Sequence, residues 1–278
     1  MTAVARRLRT GSFPYVITIP FAIVLAFPFV WMGVTSLKSN SIVNDPAHTW
    51  SFHPTLERWG FLLHHTQYVH WLKNTSLVGL AVVGITLVLA LPAGYALARL
   101  SGSFGQAMGV GIFLTYLVPP TLLFLPLSSM ITKIHLSGSL WSLVLVYPSF
   151  TVPFAIWLLM GFFKTIPLEL EDAALVDGCS RIGALLRIVF PISLPGILTI
   201  VIFTFSLVVN EFLYAITFIS SSANRTLSVG VPTDLIRGDL YDWPAIMAAI
   251  LIPSIPLALV YNVFLNRFIT GFTGGAFR

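Results

Sequence analysis

The chain is 278 residues long, 56% hydrophobic and only 9% charged, with a mean hydropathy of +0.90. Soluble domains carry about 25% charged residues, so this composition excludes a soluble enzyme or binding module and points to an integral membrane protein. The net charge of +5 does not mark a nucleic-acid partner, because the cations lie mainly outside the apolar runs and no basic patch is interleaved with aromatics.

Apolar stretches of about 20 residues cross a bilayer as helices, and runs this continuous argue against a β-barrel. Arg6, Arg7 and Arg9 precede the first such run, which is a cytosolic start. The first span, Pro14–Thr35, contains Pro20 and Pro28, which membrane helices tolerate. It is long and lacks a small-residue cleavage site, so it reads as a retained helix and not a signal peptide. Residues 36–73 form a more polar outer loop with a turn at Asn44-Asp45-Pro46. Trp50, Trp59 and Trp71 fit interfacial anchoring and ordinary packing equally well. His48, His53, His64, His65 and His70 also fall here, without a cysteine or the i, i+4 spacing of a helical zinc site, so they read as ordinary histidines.

The second span is expected over Asn74–Leu97 and the third over Phe104–Leu125, separated by a short turn at Ser101-Gly102-Ser103. Pro119-Pro120 must break or kink the third, since neither residue donates a backbone hydrogen bond; a structural kink and a gate both fit. Residues 127–139 return to the outside. The fourth span, Leu140–Phe163, contains Pro148 and Pro153. The fifth is expected over Leu194–Ile219 and the sixth over Ala245–Phe264, joined by an outer loop, Ser220–Pro244. The tail Phe272–Arg278 follows in the cytosol. With both termini inside, nine of the 15 Lys and Arg residues lie on the inner side, a modest positive-inside bias.

Between spans four and five lies a polar interruption, Leu168–Pro191. It reads as two short helices joined by a tight turn. Pro167 suits the first position, and Glu169, Glu171 and Asp172 offset the positive end of the helix dipole. Gly178, after Asp177, is free to take a positive φ. Ser180 caps the next helix, and Pro191 is expected to stop it. Cys179, the single cysteine, excludes an intrachain disulfide and reads as a passive small residue.

This stretch resembles the EAA motif of permeases from binding-protein-dependent ABC importers. That motif reads Glu-Ala-Ala, three residues, Gly, nine residues, Ile-x-Leu-Pro. Here Asp172-Ala173-Ala174 precede Gly178 at the required spacing, and Ile188-Val189-Phe190-Pro191 follow after nine residues. Asp172 for Glu and Phe190 for Leu are the departures. The end of the second span, Gly94-Tyr95-Ala96-Leu97-Ala98-Arg99, is similar to the family's Ala-Tyr-Ala-x-x-Arg ending, with Gly94 for the first Ala.

The resemblance implies an all-α integral membrane protein: a type I ABC importer permease of six transmembrane helices, with both termini cytoplasmic. Residues 1–278 would form one permease domain, and 164–193 its cytoplasmic coupling loop. It implies that Glu171, Asp172, Ala173, Ala174, Asp177, Gly178, Ile188 and Pro191 serve coupling to an ATPase. The implied partners are a second permease subunit forming a heterodimer, two ATPase subunits, an extracytoplasmic solute-binding protein and the lipid bilayer. The expected location is the cell (inner, cytoplasmic) membrane.

Glu211, after Asn210, is the one acidic residue placed within a span, where an ionisable group is a functional candidate by default. A packing hydrogen bond and a position on the substrate path or outer gate both fit it. Tyr214 would share a helical face with Glu211 and stack on a sugar ring. The Asn210-Glu211-Phe212 step resembles the sugar-importing branch of the family, as does the Gly271–Gly275 tail, which in the maltose-type second permease reaches the ATPases. The implied solute is a sugar, polyol or glycerol phosphate.

No Gly-x4-Gly-Lys-Ser/Thr loop and no catalytic constellation is present. The chain is therefore read as non-enzymatic, with no cofactor of its own; ATP and Mg would belong to the partner ATPase. An ion-coupled secondary carrier or channel is the alternative, and a membrane-embedded enzyme the more distant one.

Overall fold

The computed structural model describes residues 3–50, 52–100 and 102–276. The side chains of Arg6, Arg7, Arg9 and Arg267, and all of Ser101 and Arg278, lie outside the described residues. The chain is mostly helical. Helix α1 covers Ala3–Ser36, α2 Glu57–His64 and α3 Tyr68–Arg99. Then come α4 (Gly102–Tyr116), α5 (Pro120–Lys133), α6 (Leu140–Val146) and α7 (Pro148–Thr165). The polar interruption holds α8 (Leu168–Val176) and α9 (Arg181–Ala184), a π-helical turn at Leu185–Val189, and α10 (Phe190–Ile192). Helices α11 (Leu194–Asn210), α12 (Leu213–Phe218) and α13 (Leu227–Leu235) follow. A hairpin of β1 (Ile236–Arg237) and β2 (Leu240–Tyr241) leads to α14 (Trp243–Ala276).

Among the described residues, four helical stretches are long and apolar enough to cross a bilayer: Thr18–Ser36, Tyr68–Arg99, Leu140–Thr165 and Trp243–Asn262. Two further candidates are bent pairs, Gly102–Tyr116 with Pro120–Lys133 at 84° and Arg181–Ile192 with Leu194–Asn210 at 74°. Counting each bent pair as one span gives up to six.

Several expectations change. The second span starts at Tyr68, not Asn74. The third is broken outright at Leu117–Pro119, where Pro120 opens a new helix. The fifth is not one helix. Glu211 has φ −73° and ψ 125°, so α11 ends at Asn210 and α12 restarts at Leu213. Glu211 and Tyr214 therefore share no helical face. Pro191 does not stop its helix: the Phe190 N–H reaches back five residues to the Leu185 carbonyl, and this wider π turn carries the chain past the proline to Ile192. The glycine-rich Gly271–Gly275 stretch is helical backbone, part of α14.

The described residues divide into two compact units. One comprises the chain up to Thr66 with Val231–Ser254. In it, Lys38 is 2% exposed, and its ammonium donates to the Thr49 carbonyl at 2.9 Å while lying over the Trp31 and Phe52 rings. Asp45 caps the turn expected there by accepting from the Ala47 N–H at 2.9 Å. Arg58 lies 3.4 Å from Asp242. Gly238, at φ +60°, turns the hairpin. A cleft of about 420 Å³ is lined by Asn40, Asn44, Asp234, Arg237, Asp239 and Trp243, among others.

The other unit comprises Gln67–Gly230 and the chain from Ile255 on. Helix α3 lies along α7 and also meets α11, α4 and α6. One apolar cluster gathers Val78, Leu143, Tyr147, Val208 and Phe218; a second gathers Ala90, Tyr95, Leu159, Phe163 and Ile200. The first draws on α3, α6, α11 and α12, and the second on α3, α7 and α11. Gly94 permits a close approach of α3 to α7, since a Cβ there would stand 3.0 Å from the Leu159 Cβ and 3.3 Å from the Ile156 carbonyl. Small residues at such crossings let membrane helices approach closely. Trp71 is fully buried, which favours packing over interfacial anchoring.

Candidate functional site

The polar interruption is shaped by local chemistry. Pro167 holds Ile166 extended (φ −80°, ψ 127°), which ends α7 and redirects the chain into α8. Asp177 closes α8, and Gly178 takes φ +85°. Its N–H donates to the Leu175 carbonyl at 3.1 Å. Ser180 Oγ accepts from the Gly183 N–H at 3.1 Å and starts α9, as its position in the sequence leads one to expect.

The loop presents an unusual surface. Val176 is 87% exposed, Ile182 70% and Leu186 59%. Asp172, Ala173, Asp177, Gly178 and Pro191 are exposed beside them, Ile188 is half-buried and Ala174 is buried. An exposed apolar surface rimmed by polar residues marks a site of contact with a protein or a membrane.

Glu171 differs from its neighbours because it points inward. Its Oε1 accepts from Arg99 Nε at 2.7 Å, and its Oε2 accepts from the Tyr95 hydroxyl at 2.7 Å. Arg99 Nη2 also donates to the Ile166 carbonyl at 2.6 Å. The Arg99 and Glu171 side chains are 6% and 8% exposed. In this conformation Glu171 therefore has no free edge for a partner protein. Tyr95 and Arg99, four residues apart, share one face of α3. That spacing was the only local signal of the pairing.

A second constellation surrounds the break in the fifth expected span. Glu211 Oε1 accepts from the Tyr214 N–H at 2.9 Å, and Oε2 from the Ala215 N–H at 3.1 Å. These are orphan donors at the start of α12, so the carboxylate caps it from the preceding residues. The Tyr147 hydroxyl donates to Oε2 at 2.7 Å. The Tyr214 hydroxyl donates to the Pro120 carbonyl at 2.6 Å, joining this break to the one at Pro119-Pro120. Tyr214 is 1% exposed, so the expected sugar-stacking face is not presented here; its ring packs near Phe124, Phe150 and Phe218. Asn210 and Phe212 flank the break and are exposed. Among the described residues, no group of three or more His, Cys, Asp or Glu is placed to hold a metal.

Residues 87–273 match the family described as the binding-protein-dependent transport system inner membrane component. The chain is 34% identical over 254 residues to the sulfoquinovosyl glycerol transport system permease protein SmoH of Agrobacterium fabrum, covering 91% of this chain and 88% of that one. It is 28% identical to the trehalose/maltose transport system permease protein MalG of Thermococcus litoralis, covering 92% and 93%. It is 27% identical to the diacetylchitobiose uptake system permease protein DasC of Streptomyces coelicolor, covering 98% and 99%. Its fold is similar, with a TM-score of 0.78 at 19% identity, to a chain in the crystal structure of a bacterial ABC transporter involved in import of the acidic polysaccharide alginate, covering 96% and 99%.

Proposed function

This chain belongs to the family of binding-protein-dependent transport system inner membrane components, and on that premise we propose that it forms half of the translocation path of an ATP-driven importer for a sugar or a related polyol or glycerol phosphate. It is a multi-pass ABC transporter permease of the inner membrane. Six spans, two of them bent, place both termini in the cytosol. A second permease subunit completes the path, and an extracytoplasmic binding protein delivers the solute. ATP and Mg bind two partner ATPase subunits; the permease catalyses no hydrolysis.

The observation that carries this reading is the exposed apolar and acidic surface of residues 164–193, on a motif spaced as in the family. Helix α8 docks in a groove of an ATPase, and ATP-driven closure moves it. That movement needs an element with different contacts in each state. The two linked breaks supply non-helical backbone at membrane depth, which is tolerated only where protein buries it or water lines it. Asn210 and Glu211 therefore stand beside the solute path. Tyr214 supports the path from behind. The sugars named in the relatives, sulfoquinovosyl glycerol, trehalose, maltose and diacetylchitobiose, support the solute class.

The test is co-purification of the chain with its ATPase, for the wild type and for Gly178→Pro. Proline cannot adopt φ +85° and removes the N–H bonded to Leu175. Membrane insertion with loss of the ATPase supports the docking loop. A wild-type chain that never holds an ATPase and moves solute alone refutes the importer reading in favour of a secondary carrier or channel.

A further inference from the structure

We infer that α3 is a strut tying the coupling helix α8 at its inner end to the outer segment Ser222–Leu227 at its other end, so that the two are displaced together during the transport cycle. The inference rests on the importer reading above.

At the inner end, Tyr95 and Arg99 occupy both carboxylate oxygens of Glu171. Arg99 also holds the Ile166 carbonyl in the short link between α7 and α8. A charge pair this desolvated and this fully hydrogen-bonded resists separation, because parting it strands a buried charge. A hinge at this point would need loose, replaceable contacts. The geometry has the opposite character.

At the outer end, the Trp71 indole N–H donates to the Ser222 carbonyl at 2.9 Å. Asn74 Nδ2 donates to the carbonyls of Ala223 and Arg225, at 2.8 and 3.0 Å. Thr75 Oγ1 accepts from the Leu227 N–H at 2.8 Å. Trp71, Asn74 and Thr75 lie at i, i+3 and i+4, on one face of the helix. This segment has little secondary structure of its own, a single turn at Ser222–Asn224 before α13 opens at Leu227, and the bonds to α3 anchor it together with that from Asn224 Nδ2 to the Gly138 carbonyl at 3.2 Å.

Between the two attachments α3 is one uninterrupted helix. From Trp71 to Arg99 it measures about 42 Å at 1.5 Å per residue. Pro92 removes one rung of the ladder, but the close contact of Gly94 with Leu159 and Ile156 lets α7 splint that turn. A helix clamped at both ends and braced along its length passes a displacement on instead of absorbing it. Tyr95, Arg99, Trp71 and Asn74 are thus positioning residues. They touch neither nucleotide nor solute, yet they set how far an ATPase movement travels.

The experiment needs no knowledge of the solute. In the assembled importer, with Cys179→Ser removing the single native cysteine of this chain, Ala223→Cys places a thiol on the exposed outer segment. Its rate of modification by a membrane-impermeant maleimide is measured with and without Mg-ATP and orthovanadate. Trapping nucleotide should change the rate several-fold. Arg99→Gln at one end, and Asn74→Ala at the other, should each reduce that change to near unity while the ATPases still co-purify and trap nucleotide. Should Arg99→Gln fail to assemble, Tyr95→Phe deletes one oxygen of the clasp and should give a smaller change than wild type. An undiminished rate change in these variants, or none in the wild type despite trapped nucleotide, overturns the strut. A wild-type chain that retains no ATPase overturns the importer reading itself, and the strut with it.

Discussion

The Tyr147 hydroxyl donates to the carboxylate of Glu211 at 2.7 Å, spanning 64 residues of sequence. Tyr147 is fully buried at the junction of α6 and α7, while Glu211 sits in the gap between α11 and α12. One carboxylate thus satisfies the end of a broken helix and fastens it to a neighbouring one.

Truncating Glu211 should therefore cost more than an exposed polar residue would. Glu211→Ala strands the Tyr147 hydroxyl and two N–H groups of α12, and each buried donor without a partner costs about 1–3 kcal/mol. Glu211→Gln keeps one acceptor oxygen and should cost less. Tyr147→Phe removes only a donor and should be mildest. Thermal unfolding of the detergent-purified protein should rank the melting temperatures in that order. An alanine variant as stable as wild type would show that water, or another group, replaces the cap.

Gly94 should tolerate one methyl group and no more. Alanine gains about 1 kcal/mol of helix propensity over glycine, which offsets the tight 3.0 Å contact with Leu159. Leucine has no such room, because the Ile156 carbonyl and Met160 N–H are backbone atoms that cannot rotate aside. Overpacking costs about 1–3 kcal/mol. The same melting assay should leave Gly94→Ala near wild type and lower Gly94→Leu by several degrees. Equal stability of the two would mean that α3 and α7 can separate freely.

The loop between α1 and α2 should lose a local restraint in acid. The Ala47 N–H first, and His48 second, hold the Asp45 carboxyl below its ordinary value of 3.8. A depressed carboxylate stabilises the fold above its unfolded pKa, and that contribution disappears as pH falls through the lower folded value. Amide exchange at Ala47 should be slower in wild type than in Asp45→Ala at neutral pH. The difference should vanish well below pH 3.8. A difference that persists in strong acid would place the restraint elsewhere.

Local chemistry was legible along the chain. The apolar runs, the turn at Gly178, the Ser180 cap, the Asp45 turn and the weakness at Pro119-Pro120 all depend on residues within a few positions of one another. Each is a matter of a missing N–H, a permitted φ or a side chain within reach of its own backbone. The spaced set from Asp172 to Pro191 was legible for the same reason, and with it the family.

The tertiary structure alone decided what the polar side chains do. Nothing beside Glu171 marks it as facing Arg99 rather than a partner, and nothing beside Glu211 announces that the helix stops there. Val208-Val209-Asn210-Glu211-Phe212-Leu213 has no proline or glycine, so propensity reads it as continuous. The break is stabilised instead by Tyr147, by the N–H groups of α12 and by the Tyr214–Pro120 bond. Helix periodicity sets which residues share a face. Only the packing of α3, α7 and the broken spans sets which faces meet, and a buried carboxylate takes whatever donors that meeting supplies.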